Sequence, residues 1–479
     1  MTPPRGRGRR RLYGHGLISS ADLRQGLEQC RRAALIAGAS GEDRYVFLQC
    51  REGLVAMSEA QQTRLGALLD DSGASFLYTD YRLAQPGAPG RSEVMACIDY
   101  QAGSLRDDFD FGPLVVIPHG HVAAVRDDLM PGLRYAAWYD LRLALVRRFG
   151  LPLHLPEPAY TFTPEPEPAG TGGAQGQFGY VDPRNRAVQR EMERVVTHHL
   201  TLLGALIRPE RLEAFRCLAT RRRREGAALT VVIPVYNRVR TVGDAIRSAL
   251  AQQLEVPFNV IVVDNHSTDG TTDVVARLAA ADGRVIHLIP DERDLLIGGC
   301  WNKAVAHPAC GDIVVQLDSD DLYHGTDALA RIRKAFRSHP APAAVVGSYS
   351  LTDFALRPIP PGLIDHREWT PRNGMNNALR INGLGAPRAF RREVLLRHPL
   401  PNVSYGEDYA AMLRITRQYV VGRIYDSLYD CRRWEGNSDA APTREQTNRN
   451  NLYKDRLRTL ELEARIRLNA AGREASAEG

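Results

Sequence analysis

The stretch from residue 229 to residue 353 alternates short apolar runs with amphipathic helical periods. Its apolar runs are TVVIPV, NVIVVD, RVIHLI, DIVVQLD and AAVVGSYS. Segments with helical spacing lie between them: TVGDAIRSALAQQ, TTDVVARLAA, GGCWNKAVAH and TDALARIRKAFRSH. Strands that alternate with helices are typical of βαβ units, whose parallel strands form a sheet covered on both faces. We therefore expect an α/β domain, and Thr241 with Asp244 predicts a capping box before the helix that follows TVVIPV.

Polar side chains follow the ends of three of these strands. Tyr236 and Asn237 come after the first strand, Asp264 ends the second, and the run Asp318 to Asp321 follows a later one. Ligands of such sheets bind beyond the carboxyl ends of the strands. We expect these loops to converge at one edge and to form a binding site there.

The run LDSDD, residues 317–321, carries the most specific chemistry of these loops. Asp318 and Asp320 are one residue apart at a strand end, so both carboxylates can reach one divalent cation. Mg²⁺ and Mn²⁺ prefer oxygen ligands and commonly bind through one or two carboxylates together with substrate phosphates. The alternative is a turn or a helix cap ahead of Thr326, because aspartate serves in both. The position of the run among converging loops favours a metal site.

Two other stretches are suited to a nucleotide. IPVYNR, residues 233–238, ends a strand with an aromatic ring, an amide and a cation, which can stack on a base and bond to its edge. In VVDNHSTDGT, residues 262–271, the carboxylate of Asp264 can accept an N–H from a base. Asn, Ser, Asp and Gly also form turns and helix caps, so each stretch taken alone has a structural explanation as well.

Two later clusters complete the candidate residues. SYGEDYAAMLRI, residues 404–415, offers the adjacent carboxylates Glu407 and Asp408 ahead of a helical period. YDCRRWEGNSD, residues 429–439, brings Arg432, Arg433 and Trp434 together. Arginines and an indole can brace a diphosphate or a sugar ring. Alternatively, they pack and pair on the surface.

In order and spacing, these blocks resemble the family 2 glycosyltransferases of the GT-A fold. The resemblance runs from about Leu229 to Asp439 and includes VVIPVYNR, IVVDNHSTDGT, GGCWNKAV, LDSDD, GED and RRWEGNS. It implies an inverting transfer of a sugar from a nucleotide-activated donor, with UDP as the commonest nucleotide of the family. An inverting displacement needs a carboxylate to take the acceptor proton and a cation to neutralise the departing nucleoside diphosphate.

The resemblance also implies roles for individual residues. Asp408 would be the catalytic base, with Glu407 as the second candidate. Asp318 and Asp320 would bind the ribose and a divalent cation, Mn²⁺ or Mg²⁺. The implied nucleotide-sugar contacts are those of Pro234, Tyr236, Asn237, Arg238, Asp264, Asn302, Lys303, Asp318, Arg433 and Trp434.

Two departures from the family pattern matter. The block written Q/R-x-x-R-W in processive synthases begins here with Asp430, and no apolar run is long enough to span a membrane. Both observations argue against a processive polysaccharide synthase. Many non-processive relatives show a histidine where Trp434 stands, which puts a metal contact from this loop in doubt.

The N-terminal region repeats part of the later half. YVFLQCREGLVAMSEAQQTRLGALLDDSGASFLYTDYRL, residues 45–83, aligns with residues 312–353, and residues 135–160 align with 405–429. Asp140 falls on Asp408, while Asp318 and Asp320 become Arg51 and Gly53. We interpret residues 45–160 as a degenerate half of the same fold that lacks the donor and metal sites and packs as an accessory or acceptor-handling module. Chance similarity between two α/β segments is the alternative.

The expected domain organisation follows from these patterns and from the Pro- and Gly-rich stretch near residue 165. It comprises a basic arm with a lead-in helix (1–44), a degenerate GT-A-like half domain (45–160), a linker (161–178), a helical connector (179–228), a GT-A catalytic domain (229–440) and a C-terminal helix with a tail (441–479).

Composition and cysteine usage suggest where the protein works. Seven scattered cysteines without a CxxC pair argue against a disulfide framework and a zinc site, and indicate a reducing compartment. The net charge of +6 is concentrated in the N-terminal arm and in residues 220–225. We expect a cytoplasmic protein whose basic patches allow peripheral association with the inner face of the membrane, and no nucleic-acid partner.

The predicted function is therefore that of an inverting, metal-dependent glycosyltransferase. Its donor would be a nucleotide-diphosphate sugar, and we expect a UDP-sugar because UDP is the commonest nucleotide of the family. Its acceptor would be a hydroxyl group of a glycan, of a lipid-linked molecule or of another compound. One alternative is a non-catalytic protein that binds sugar nucleotides. Another is a nucleotidyltransferase, although PVYNR is not the Gly-rich phosphate loop of that class.

Overall fold

The computed structural model describes residues 44–51, 53–85, 91–165, 185–215, 228–367, 369–381, 383–437 and 442–477. These residues divide into two compact units. The first takes in the described residues of Met1–Tyr180, Asn185–Leu206 and Thr443–Gly479, and the second those of Ile207–Pro442. The expected lead-in helix before residue 44 lies outside the described residues.

The first unit is built around a sheet formed by residues 45–164. Its strands are β1 (Tyr45–Gln49), β2 (Gly53–Ala56), β3 (Leu77–Ala84), β4 (Ser92–Met95), β5 (Leu114–Pro118) and β6 (Leu153–Pro164). They lie in the order β1-β5-β3-β6-β2, with β4 beside β3. Strands β3 and β6 are parallel, and the other pairs are antiparallel. Phe76, Tyr78, Phe111 and Trp138 are buried against one another in its core.

Helices cover this sheet, and one of them comes from the far end of the chain. They are α1 (Glu59–Ser72), α2 (His119–Val125), α3 (Ala137–Phe149), α4 (Arg186–Leu202) and the C-terminal helix (Arg444–Ala477). The C-terminal helix packs closely on the first unit, because a Cβ at Gly103 would lie 2.0 Å from the backbone nitrogen of Thr459. A buried ion pair between Arg106 and Asp455, 3.3 Å apart, holds the same contact. The C-terminal helix is therefore part of the first unit.

The second unit contains the sheet predicted for residues 229–353, extended at one side. Its strands are β7 (Leu229–Val235), β8 (Phe258–Asp264), β9 (Val285–Leu288), β10 (Ile313–Gln316), β11 (Leu322–Tyr323), β12 (Ala344–Asp353), β13 (Pro358–Ile364), β14 (Arg388–Arg391) and β15 (Val421–Arg433). They lie in the order β11-β15-β12-β14-β10-β7-β8-β9, with β13 beside β12. The run β10-β7-β8-β9 is parallel, whereas β14 is antiparallel to both of its neighbours. The expected mixed α/β architecture is confirmed.

The helices of the second unit follow the predicted alternation. They are α5 (Val242–Leu250), α6 (Thr271–Ala281), α7 (Ile297–Ala306), α8 (Ala328–Phe336), α9 (Gly374–Asn377), α10 (Arg392–Arg397) and α11 (Glu407–Gln418). The predicted capping box at α5 is wrong. The Thr241 hydroxyl is buried without a hydrogen-bond partner in the described structure. Asp244 instead pairs with Arg247 at 2.7 Å and with Arg432 at 3.2 Å, which turns its carboxylate away from the helix start.

Five strands of each sheet follow the same order. The order β2-β6-β3-β5-β1 of the first unit corresponds to β11-β15-β12-β14-β10 of the second, with the same relative strand directions. Leu77 lies opposite Leu153, as Ala344 lies opposite Val421, and the sequence comparison aligns these positions. Within the described residues the first unit has no counterpart of β7, β8 and β9. The degenerate half domain remains a prediction, and the shared topology supports it.

One expected boundary needs correction. The linker was placed at 161–178, but Thr161–Pro164 end strand β6 and pair with β2, since Gly53 lies opposite Pro164. The Pro and Glu residues there suggest a linker, but the strand continues because it is paired with β2 on one side and with β3 on the other, where Arg82 lies opposite Thr161. No helix in the described part of the chain is long and apolar enough to cross a membrane.

Candidate active site

The loops that follow β7 and β8 hold each other at the edge of the second sheet. The Asn237 N–H donates to the Ser267 hydroxyl at 3.0 Å, and the Asn237 side-chain oxygen accepts from the Thr268 N–H at 2.8 Å. Asn237 has φ 51°, a left-handed conformation that asparagine tolerates better than most side chains. These bonds leave the ring of Tyr236 56% exposed beside them. The ring is therefore accessible for stacking.

Arg238 connects this edge to the aspartate loop after β10. Its Nε lies 3.8 Å from the Asp320 carboxylate. The expected convergence of the loops at the carboxyl ends of β7, β8 and β10 is thus confirmed by contacts among them. Pro234 lies one residue before the end of β7, opposite Val263, so it contributes to the strand that positions the loop.

Asp264 is buried, and both of its carboxylate oxygens are already bonded. One accepts from the Ser267 N–H at 3.0 Å, and the other accepts from the Thr272 hydroxyl at 2.6 Å and lies 3.3 Å from His287 Nε2. Burial raises the pKa of Asp264, but the hydrogen bonds from Thr272 and Ser267 outweigh it and hold this pKa below its ordinary value. In this structure Asp264 organises its own loop, and its expected contact with a nucleotide base stays a prediction.

The aspartates of LDSDD bring several negative charges close together in a buried place. The Gln316 amide donates to both oxygens of Asp318, at 2.9 and 3.0 Å, and the Tyr429 hydroxyl accepts from the Asp318 N–H. Burial raises the pKa of Asp318, and the charge of Asp320 adds to the effect. Burial and the charges of Asp320 and Asp318 raise the pKa of Asp321 well above its ordinary value. Excess negative charge of this kind is what a bound divalent cation would stabilise.

Asp318 and Asp320 therefore fit a divalent cation, although they do not form a complete protein cage. In the described residues, no three His, Cys, Asp or Glu side chains are arranged to hold a metal ion. Mg²⁺ sites that share substrate phosphates commonly use only one or two carboxylates. Asp321 differs from its neighbours, since its carboxylate accepts from the Arg432 N–H at 2.8 Å and so braces β15.

The segment 434–437 covers Asp320. The Asn437 amide donates to the Asp320 carboxylate at 3.2 Å, and the Asn437 side-chain oxygen accepts from the Trp434 N–H at 2.7 Å. The Trp434 ring packs beside Phe354, with the Arg240 guanidinium 5.0 Å from its centroid. The structure thus places Trp434 against Asp320 through Asn437, and its indole N–H is buried without a hydrogen-bond partner in the described structure. Arg433 lies in β15 opposite Asp353.

Glu407 and Asp408 begin helix α11 and have different environments. The Asp408 carboxylate is 24% exposed and forms an ion pair with Arg388 Nη1 at 2.9 Å. Glu407 is buried, and burial together with the charge of Asp408 raises the pKa of Glu407 to about 8. At neutral pH the structure therefore favours a protonated Glu407 beside an Asp408 that is paired with an arginine.

Arg388 joins the two acidic groups of the site. Burial would lower the pKa of its guanidinium, but the charges of Asp408, Asp318 and Glu407 raise it instead. Its backbone N–H donates to the Gln316 side chain, which in turn holds Asp318. Arg388 thus lies between the candidate metal ligands and the candidate base. Sequence analysis missed it, because a single arginine in GAPRAF carries no pattern that separates it from other strand residues.

Asn302 and Lys303 already have partners within the protein. The Asn302 amide donates to the Leu400 carbonyl at 2.8 Å and accepts from the Leu400 N–H at 3.0 Å, so it fixes the segment before α11. Lys303 is paired with Glu292. The Asn302 side chain therefore positions a backbone segment, and its expected contacts with ribose and phosphates stay a prediction.

A family model for "Glycosyl transferase family 2" matches residues 230–396. The glycosyltransferase AglD of Haloferax volcanii is 35% identical over 116 residues, which are 22% of this chain and 18% of that protein. The O-antigen chain rhamnosyltransferase RfbN of Salmonella typhimurium is 32% identical over 120 residues, 25% of this chain and 36% of that protein. The chain therefore spans between about a fifth and a third of the length of these relatives.

Solved structures overlap the chain only in part. The crystal structure of S. aureus TarS 1-349 in complex with UDP-GlcNAc is 19% identical, with a TM-score of 0.37. The match covers 45% of this chain and 61% of the TarS chain. The match to the family model, together with the parallel run β10-β7-β8-β9 and its converging loops, agrees with the expected GT-A class of fold. Residues 230–396 therefore form a family 2 glycosyltransferase domain.

Proposed function

We propose that the protein transfers a sugar from a nucleotide-diphosphate sugar to an acceptor hydroxyl with inversion, using Asp408 as the base. The observation that carries this proposal is the difference between the two carboxylates at the start of α11. Asp408 is accessible and ion-paired with Arg388, whereas Glu407 is buried and its pKa is raised to about 8. Only a carboxylate that is ionised and within reach of the acceptor can take its proton.

The donor is proposed to bind where the loops after β7, β8 and β10 converge. The exposed ring of Tyr236 would stack on the nucleobase of the donor, which we propose is uracil because UDP is the commonest nucleotide of the family. Arg238 would lie near the diphosphate. Asp318 and Asp320 would hold Mn²⁺ or Mg²⁺, which neutralises the departing nucleoside diphosphate when bound. The raised pKa of Asp318 supports a site that prefers to have such a cation.

The proposed reaction requires little motion of the chain's own groups. Asp408 accepts the proton of the acceptor hydroxyl as the new bond to the anomeric carbon forms, and the bond to the diphosphate breaks on the opposite side. Arg388 holds the Asp408 carboxylate in place by its 2.9 Å contact. Glu407, protonated at neutral pH, adds no second negative charge beside the base.

The proposal is tested by Asp408→Asn with Glu407→Gln as its matched control. Loss of a general base should lower the transfer rate about 10²- to 10⁴-fold, while donor binding measured by calorimetry stays nearly unchanged. Glu407→Gln imitates a protonated glutamate and should retain most activity at pH 7. Turnover that survives in Asp408→Asn but is lost in Glu407→Gln would reverse the assignment.

The metal assignment is tested separately by Asp320→Ala. This change should remove the Mn²⁺-dependent part of donor binding, measured with and without a chelator. Unchanged binding would refute a metal contact at Asp320. A panel of nucleotide sugars, with hydrolysis followed by mass spectrometry, identifies the donor and separates a transferase from a non-catalytic binder.

A further inference from the structure

A polar cleft in the first unit belongs to no part of the site described above. It has a volume of about 180 Å³ and lies between the loop after β4 and the first turns of the C-terminal helix. Asp108 and Asp110 line it from the loop, and Arg444, Thr447, Asn448 and Asn451 line it from the helix. All of these residues belong to the first unit.

The acidic groups of the cleft are neutralised by arginines. Asp110 is held by Arg51 at 2.5 Å and by Arg444 at 2.8 Å, and Asp108 by Arg106 at 2.9 Å. Burial raises the pKa of Asp110, but the charges of Arg51 and Arg444 outweigh this and lower it. The carboxylates are thus ionised and paired, so the cleft as a whole has little net charge.

Arg51 occupies the position that corresponds to Asp318 in the second unit. The Arg51 guanidinium repels a divalent metal ion, and it carries a positive charge at the position where the second unit is proposed to bind a metal. Gly53, which corresponds to Asp320, cannot be replaced by an acid, because its φ is 147° and a Cβ would lie 2.4 Å from the Thr163 carbonyl oxygen. The first unit therefore does not repeat the candidate metal site of the second unit at these two positions.

The residue that corresponds to the proposed catalytic base is also inaccessible. Asp140, which aligns with Asp408, is 1% exposed and accepts from the Met130 N–H at 2.7 Å. It cannot reach a ligand in solution. The first unit thus shares the strand order β11-β15-β12-β14-β10 of the second unit, while its charged groups are paired internally.

We propose that this cleft binds one neutral sugar residue, as an additional site for a glycan acceptor. The choice of a sugar rests on the proposed function, whereas the preference for a neutral polyhydroxylated ligand rests on the paired charges. Ionised carboxylates accept from hydroxyl groups, and the Asn451 amide supplies a donor and an acceptor. The Asn448 amide and Arg444 already donate to the Ala96 carbonyl, so Asn448 contributes its side-chain oxygen as an acceptor. The volume is below the roughly 300–1,000 Å³ of common ligand pockets, which suits a single ring.

The test uses the full-length protein and a panel of neutral monosaccharides, with saturation-transfer NMR and calorimetry as readouts. Asn451→Leu replaces an amide with an apolar side chain of similar size and should weaken binding about tenfold by leaving a ligand hydroxyl unpaired. Asn450→Leu changes the adjacent helix position, which does not line the cleft, and should leave binding unchanged. Asp108→Asn, at a carboxylate that is 44% exposed, provides a second variant with little risk to folding.

The outcomes separate this site from the catalytic one. Asp408→Asn should bind the monosaccharide as the unaltered protein does, because that residue lies in the other unit. Donor hydrolysis measured in parallel reports on the proposed function independently of the cleft. Absence of saturable sugar binding would overturn the cleft proposal, as would equal losses in Asn451→Leu and Asn450→Leu. Displacement of the sugar by inorganic phosphate or Mg²⁺ would overturn the neutral-ligand assignment.

Discussion

Arg388 shows how much of the candidate site depends on a single residue. It contacts Asp408 directly, and its backbone N–H is bonded to the glutamine that holds Asp318. It reaches this position because β14 runs antiparallel between β10 and β12, which brings Arg388 opposite Val346. Long-range pairing of this kind leaves no local pattern in the sequence.

Replacing Arg388 tests its role as a positioning residue. Arg388→Met should lower the transfer rate about ten- to a hundredfold, because a charge-assisted contact to the base is lost. Arg388→Lys should restore part of the rate, because it returns a cation beside the Asp408 carboxylate. A transfer rate in Arg388→Met equal to that of the unaltered protein would exclude this positioning role.

Glu407 predicts a pH dependence of stability. Its pKa is about 8 in the folded chain, above the ordinary value of 4.5, so the folded state binds more protons than the unfolded state between these values. Its contribution to stability is therefore fully present below about pH 4.5 and is lost as pH rises towards 8, by at most about 1.4 kcal/mol per pH unit.

Glu407→Gln removes this dependence. Urea unfolding of both proteins in a chelator should give similar free energies near pH 5, with the variant increasingly more stable at pH 6, 7 and 8. A difference that stays constant with pH would mean that Glu407 titrates normally. The result bears on catalysis too, because it reports whether Glu407 is protonated beside Asp408.

At the scale of elements, the close packing of helix α7 on the segment before α11 sets the position of the base. The Gly298 N–H donates to the Val403 carbonyl at 3.1 Å, and a Cβ at Gly298 would lie 1.8 Å from the Pro401 carbonyl oxygen and 3.2 Å from the Glu407 Cβ. The glycines of GGCWNK therefore permit helix-to-backbone contact. The resemblance drew attention to this block for nucleotide contacts, but the structure uses it for packing.

Gly298→Ala tests this contact. The added methyl group must displace the backbone at Pro401, which should cost about 1–3 kcal/mol in the free energy of unfolding and also reduce activity by moving Glu407 and Asp408. Gly283→Ala is the matched control, because a Cβ there meets nothing within 4 Å. Equal effects of both changes would show that the loss comes from glycine removal in general.

At the scale of the whole molecule, the C-terminal end of the chain belongs to the same compact unit as the N-terminal segment. The C-terminal helix belongs to the first unit, where Asp455 is buried between Arg106 and Arg458. Residues 207–442 contain every residue assigned to the candidate active site. The first unit, by contrast, combines an N-terminal segment with the C-terminal helix.

A fragment of residues 207–442 tests this division. It should retain donor hydrolysis within a fewfold of the full chain, since its metal, donor and base residues are intact. Transfer to the natural acceptor should be weaker, because the polar cleft of the first unit is missing. A fragment with full transfer activity would argue against acceptor handling by the first unit. The complementary removal of residues 443–479 should eliminate the thermal unfolding transition of the first unit in calorimetry.

The sequence alone determined the alternation of strands and helices in residues 229–353, and it indicated Asp318, Asp320 and Asp408. These features are local, because strand and helix periods and residues at strand ends are determined by short-range geometry. It also suggested the repeated half, although the linker after β6 was placed four residues too early. Sequence patterns could not show which polar groups would be used internally, as Asp264 and Asn302 are.

Only the tertiary structure decided which groups face one another across distant segments. It brought Arg388 to Asp408, Asn437 to Asp320 and the C-terminal helix to the first unit, over separations that no local pattern records. It also distinguished Glu407 from Asp408, which are adjacent in the sequence and equal in chemistry. The physical reason is burial: ionisation depends on the surrounding dielectric and charges, and these exist only once the chain has folded.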